Sequence, residues 1–170
     1  MTEHLTTDGA TEDARDPAEL PGAREAAQAW ESLFRAQVAL MRRFQRDDVW
    51  GPLTIREYDV LFTLSGCADR TARLKELGEE SLLTQPSLSR LVERLEAAGL
   101  VARGPVEGDA RGVAVRLTDE GARVQREIGY RHVQSIRRLV GGALDAEELA
   151  TLRTLTDKLR AAQAGIPDPA

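Results

Sequence analysis

Between Ala23 and Asp47 the apolar residues Ala26, Trp30, Leu33, Phe34, Met41 and Phe44 recur at helical spacing among Arg and Gln. This pattern predicts a long amphipathic helix. A turn at Gly51-Pro52 follows, and Thr54 with Glu57 three residues on forms a capping box, flanked by Leu53 and Tyr58 as a hydrophobic staple. A second helix is expected from there to Gly66, burying Tyr58, Leu61, Phe62 and Ser65. A short third helix is expected over Ala72 to Glu80 with Leu74 and Leu77 inward, followed by the turn Ser81-Leu82-Leu83. Thr84 then caps a fourth helix that carries Pro86 in its first turn and ends at Gly99.

The period changes after Gly99. Leu100 to Arg103 and Val113 to Leu117 read as two short strands, the second with Val113, Val115 and Leu117 inward, joined by a polar loop from Gly104 to Gly112. Thr118 caps a fifth helix through Val124, Ile128, Ile136 and Leu139 to Gly141-Gly142. Asp145 and Glu148 form a second capping box, opening a sixth helix through Leu152, Leu155 and Leu159 that ends at Gly165 and Pro167.

Composition supports a mostly helical fold. Ala and Leu supply 46 of 170 positions against 15 for Val and Ile, and strands favour β-branched residues. No apolar run approaches the roughly 20 residues of a membrane span, and Met1 to Leu20 lacks a basic start followed by an apolar block. A single cysteine, Cys67, cannot form an internal disulfide, which fits a reducing compartment and a cytoplasmic protein. Residues 1–22 hold six acids and one base, a balance equal to the chain's net charge of −5. That stretch has almost no large apolar residue and reads as a disordered acidic tail.

The order helix, helix, short helix, tight turn, capped helix, hairpin is that of a winged helix-turn-helix, in which the helix after the turn enters the DNA major groove. On a helical wheel Leu88, Leu91, Val92 and Leu95 share one face. Pro86, Arg90 and Ala97 point away from it, with Ser87, Ser89 and Arg94 on its flanks and Thr84 and Gln85 at its start. Small and hydroxylated residues allow close approach to a groove, and Arg offers a fork to guanine or phosphate. The same residue types also suit an ordinary solvated face. In the hairpin loop, Asp109 and Arg111 lie two residues apart. The carboxylate could hold the guanidinium extended toward a minor groove, or the two could form a plain loop salt bridge.

Residues 53–121 resemble the MarR family of winged-helix transcriptional regulators. The likeness rests on Leu53-Thr54 through Tyr58-Asp59-Val60-Leu61, on the run from Leu83-Thr84-Gln85-Pro86-Ser87 to Gly99-Leu100-Val101, on Asp109-Ala110-Arg111, and on Leu117-Thr118-Asp119-Glu120-Gly121. The resemblance implies one domain over 23–163, in which 53–121 form the DNA-binding core and helices at 23–47 and 119–163 interleave in a homodimer. A C-terminal tail would cover 164–170. It further implies a repressor that binds a pseudo-palindromic double-stranded operator and is released by a small, often phenolic or anionic, effector. Thr84, Gln85, Pro86, Ser87, Ser89, Arg90 and Arg94 would contact DNA from the helix, and Arg111 from the wing with Asp109 orienting it. Trp30, Phe34, Tyr58 and Phe62 would line an effector pocket between the first two helices, although aromatic residues at helical spacing are usually core. Residues 71–117 balance seven acids against seven bases. This weak basicity departs from the family pattern and predicts modest, salt-sensitive phosphate affinity.

Other readings carry less. Peroxide sensors of this family place the reactive thiol in the first helix, whereas Cys67 ends the second and has no partner cysteine. A redox-responsive regulator acting through Cys67 is therefore the lesser alternative. His132 has only His4 as a second histidine, so no zinc-site spacing exists and neither metal nor cofactor is expected. GxSxG, P-loop and HExxH motifs are absent, which argues against an enzyme. A protein-binding module of the same fold without DNA affinity is the remaining competitor.

Overall fold

In the computed structural model the described residues are 20, 22–79, 83–106 and 108–166, with the side chains of 110 and 111 excepted. The acidic tail, the Ser81-Leu82 turn, Glu80 and the Pro167 stop lie outside them. The elements are α1 (Ala23–Phe44), α2 (Ile55–Gly66), β1 (Thr71–Arg73), α3 (Leu74–Glu79), α4 (Gln85–Ala97), β2 (Val101–Val106), β3 (Asp109–Leu117), α5 (Asp119–Leu139) and α6 (Ala146–Gln163). The chain divides into a unit ending at Ala39 and a unit running from Leu40 to Ala170. Among the described residues no helix is long and apolar enough to cross a membrane.

Helix starts follow the sequence closely. Both expected capping boxes form, Thr54 with Glu57 and Asp145 with Glu148, and the Thr118 side chain accepts from the Gly121 N–H. Gly99 closes α4 at φ 73°, with the Gly99 N–H bonded to Glu96 O and the Leu100 N–H to Leu95 O. These are the paired bonds of a Schellman end, and the positive φ favours glycine there. The first helix ends at Phe44 instead of Asp47. Its last carbonyl is taken at 2.7 Å by the Trp50 indole N–H, and the backbone beyond closes through tighter i to i+3 bonds.

Two apolar clusters organise the second unit. Val60, Leu61, Leu64, Leu77, Leu88, Leu91, Val92, Leu95, Val101, Val115 and Leu117 form one, and Phe44, Trp50, Tyr58 and Ile128 form the other. Helix α2 packs into both, which corrects its expected burial. Val60 and Leu64 are buried, whereas Phe62 is 56% exposed and Ser65 is exposed. The sequence pattern was compatible with either face, and packing on two sides turns Phe62 outward.

The wing is larger than expected. Three antiparallel strands lie in the order β1-β3-β2, with Ala72 opposite Val115 and Arg103 opposite Val115 on the other side. Residues 72–73, expected to be helical, instead pair with β3, and α3 begins at Leu74 once the Glu76 carboxylate accepts the Arg73 N–H. The expected loop over 104–112 is mostly strand. It continues past Pro105, which has no N–H to give the ladder, by shifting register between Pro105 and Val106. Val113 lies out along this arm and is exposed, whereas Val115 and Leu117 are buried as expected.

Candidate nucleic-acid interface

Helix α4 buries Leu88, Leu91, Val92 and Leu95, and this stripe fixes the opposite face outward. Thr84, Gln85, Pro86, Ser87, Arg90 and Arg94 are exposed and Ser89 is half-buried. Thr84 is the N-cap but its side chain makes no cap bond; its hydroxyl instead donates to Ser87 Oγ at 3.0 Å. Ser89 Oγ lies 3.5 Å from Glu93. The Arg90 guanidinium has no ion pair among the described residues, leaving its donor fork available.

Arg94 differs. Its Nε donates to Glu57 Oε1 at 3.0 Å and its Nη1 to the Arg90 carbonyl at 3.3 Å. Burial of Glu57 works to raise its pKa. The Thr54 N–H and hydroxyl and the Arg94 guanidinium outweigh that effect and hold the carboxyl below its ordinary value. A second arginine, Arg103 on β2, is also committed: its Nε bonds Glu96 Oε2 at 2.7 Å and its N–H bonds Glu96 Oε1 at 2.9 Å, with Glu93 3.5 Å away. Helix α4 and the wing are thereby joined through side chains.

On the wing, the Asp109 carboxylate accepts the Gly112 N–H at 3.0 Å and lies 3.9 Å from Arg73. A Cβ on Gly112 would sit 2.7 Å from that carboxylate and 2.9 Å from Val106, so glycine allows the close approach. The Arg111 side chain, expected to reach DNA, lies outside the described residues. Arg73 was not anticipated at this site, because only the pairing of β1 with β3 brings it there.

Each pair of the expected pocket aromatics stacks within its own helix. Trp30 and Phe34 stack on each other at 5.9 Å on α1, both exposed. Tyr58 is buried against Trp50 and His132, and Phe62 stacks on its outer side at 6.1 Å. Tyr58 and Phe62 do not line the open cleft of about 630 Å³ walled by Trp50, Leu53, Leu83 and Leu91 together with Arg56, Arg90 and Arg94. Arg56 was missed because nothing in local spacing joins α2 to α4. The Cys67 thiol donates to the Thr63 carbonyl at 3.3 Å. His132 lies among Phe44, Trp50 and Tyr58, and burial holds its pKa below 6.5. Among the described residues no group of three His, Cys, Asp or Glu could hold a metal ion.

Comparison with known proteins gives consistent findings. A family model described as MarR family matches residues 52–112. The regulator PecS of Dickeya dadantii is 32% identical over 108 residues, 63% of this chain and 64% of PecS. The matched stretch thus spans just under two thirds of that relative. The crystal structure of AbsC from Streptomyces coelicolor superimposes with a TM-score of 0.70 at 26% identity, covering 87% of this chain and 99% of AbsC. Sco3205 from the same organism, solved in complex with DNA, gives a TM-score of 0.67 at 29% identity, covering 88% and 94%.

Proposed function

This chain belongs to the MarR family of winged helix-turn-helix transcriptional regulators, and on that premise we propose that it represses transcription as a homodimer on a pseudo-palindromic operator. Helix α4 of each copy enters the major groove and each wing meets the minor groove. Thr84, Gln85, Pro86, Ser87, Ser89 and Arg90 face the bases and sugars, with Arg94 beside them, and Asp109 orients Arg111 from the wing. The observation that carries this reading is the outward face of α4, where Arg90 stands exposed, without an ion pair among the described residues, beside short hydroxylated side chains. That combination permits close approach and a bidentate contact to guanine. A family of this kind regulates genes and is not a family of enzymes.

The effector reading rests on the cleft. Trp50, Leu53 and Leu91 offer an apolar wall, and Arg56 and Arg90 offer positive charge, so a small aromatic anion fits its chemistry. Because α4 forms one wall, occupancy bears on that helix, and we expect it to shift the spacing of the paired helices from the roughly 34 Å of one DNA turn.

The test is selection of duplexes from a random pool by the full-length protein, followed by anisotropy with Arg90→Ala. Enrichment of a pseudo-palindrome, and a loss of about 1–3 kcal/mol in Arg90→Ala with the dimer intact by sedimentation, are the expected results. Enrichment of no duplex overturns the regulator and favours a protein-binding module of the same fold.

A further inference from the structure

We infer that Glu57, a buried carboxylate on α2, is a positioning residue for DNA recognition: through Arg94 it sets how α4 presents Arg90. The inference rests on the DNA-binding reading above. It begins from a surplus. A capping box asks its third residue for one acceptor toward the N-cap N–H, and Gln fills that role as well as Glu. Glu57 does more. Its Oε2 accepts both the Thr54 N–H at 2.9 Å and the Thr54 hydroxyl at 3.0 Å, while its Oε1 accepts Arg94 Nε at 3.0 Å. The residue is 8% exposed, and a buried negative charge is costly unless it is paired and hydrogen-bonded. Helix capping explains neither the charge nor the second oxygen, whereas Arg94 uses both.

The contact between α2 and α4 is otherwise apolar. Leu61 and Leu64 meet a cluster containing Leu88, Leu91 and Leu95, and such contact is non-directional, so it resists separation more than rotation. A guanidinium on a carboxylate is directional. The same Arg94 group also donates to the Arg90 carbonyl one turn earlier. Glu57 is thereby connected, through one rigid planar fork, to Arg90, whose exposed guanidinium has no ion pair among the described residues. Arg94 is 60% exposed and takes part at the interface, but its Nε and Nη1 are spent inside the protein. Its orientation is therefore set by Glu57 before DNA arrives.

The experiment is a double-mutant cycle on the duplex that the wild-type protein selects from a random pool, with a scrambled duplex beside it. Glu57→Gln keeps an acceptor for the cap and removes the charge that holds Arg94. It should fold, lose about tenfold in affinity for the selected duplex, change little on the scrambled one, and have no further effect in an Arg94→Ala background. Arg94→Lys, a change at an exposed position, keeps the charge but not the fork. It should lose the preference for the selected duplex as Arg94→Ala does, and a preference retained there would overturn the inference even if Glu57→Gln does not fold. Additive losses in the cycle, equal losses on both duplexes, or a full preference retained by Arg94→Lys would each overturn the inference. Failure of the wild type to select any duplex would instead remove the DNA-binding reading, and the inference with it.

Discussion

Leucines in two parts of this protein meet opposite fates. In the first apolar cluster Leu61, Leu64 and Leu88 are completely buried. In α6 no residue is buried, and Leu152, Leu155 and Leu159 stand exposed although they recur at the same helical spacing. Burying one such side chain is worth about 1.5–3 kcal/mol, so three exposed leucines on one helix form a stripe that calls for an apolar partner. An amphipathic pattern states that a helix needs a partner. It does not state whether that partner is the same chain or another, and a second copy is the occupant that the proposed homodimer supplies.

The comparison can be broken most severely at α6. Replacing Leu155 and Leu159 together by Glu should leave the helical content of each chain intact, yield monomers by sedimentation, and weaken binding to the selected duplex by about a hundredfold to ten-thousandfold through loss of the second half-site. A variant that remains dimeric would place the interface elsewhere. Alanine substitutions then sharpen the contrast. Leu88→Ala should cost about 2–5 kcal/mol in urea unfolding, and the cost should not depend on protein concentration. Leu155→Ala should cost less than about 0.5 kcal/mol in a dilute monomer and show its effect only where the dimer is populated. Equal, concentration-independent costs at the two positions would mean that the leucines do not differ in kind.

The sequence disclosed those features in which local chemistry decides the outcome. Thr54, Thr118 and Asp145 begin helices because their side chains satisfy free N–H groups within three residues. The buried stripe of α4 follows from spacing alone. What stayed hidden depends on residues far apart in the chain. Thr71 to Arg73 carries no strand signal of its own; it is a strand because β3 offers an edge, with Arg116 opposite Thr71. Phe62 faces outward because α2 packs into two clusters. At the site, the outward side chains of α4 were legible from the wheel. The commitment of Arg94 to Glu57, 37 positions earlier, was not, nor was the cleft rim that joins Arg56 to Arg90.

Acid should separate the two regions by a smaller amount. Beside the second apolar cluster, burial holds His132 below 6.5. The unfolded chain therefore takes up the proton first, and stability present above pH 6.5 is lost as pH falls through the folded value. Glu57, held below 4.5, adds a second loss at lower pH by the same sign, since its paired carboxylate must be protonated. Urea midpoints should thus fall with pH, with a first step below pH 6.5 that belongs to His132. His132→Phe, which keeps a ring among Phe44, Trp50 and Tyr58, should remove the first step; if that step persists, another group is responsible.

The smallest expected effect lies in the tail, where sequence is the guide. Residues 1–22 carry the whole net charge of −5, and the other 148 positions are neutral. Two arginines near the proposed interface are already partly answered from within, Arg94 by Glu57 and Arg103 by Glu96, whereas Arg90 on the outward face of α4 has no ion pair among the described residues. Six tethered carboxylates would compete for it at high effective concentration or repel the phosphates directly, and either effect is screened by salt. A protein beginning at Gly22 should therefore bind the selected duplex a few-fold more tightly at low ionic strength and with a steeper salt dependence, the gain shrinking as salt is raised. Anisotropy titrations of both lengths at two salt concentrations measure this. Equal affinities at low salt would show that the tail does not act on the reading face.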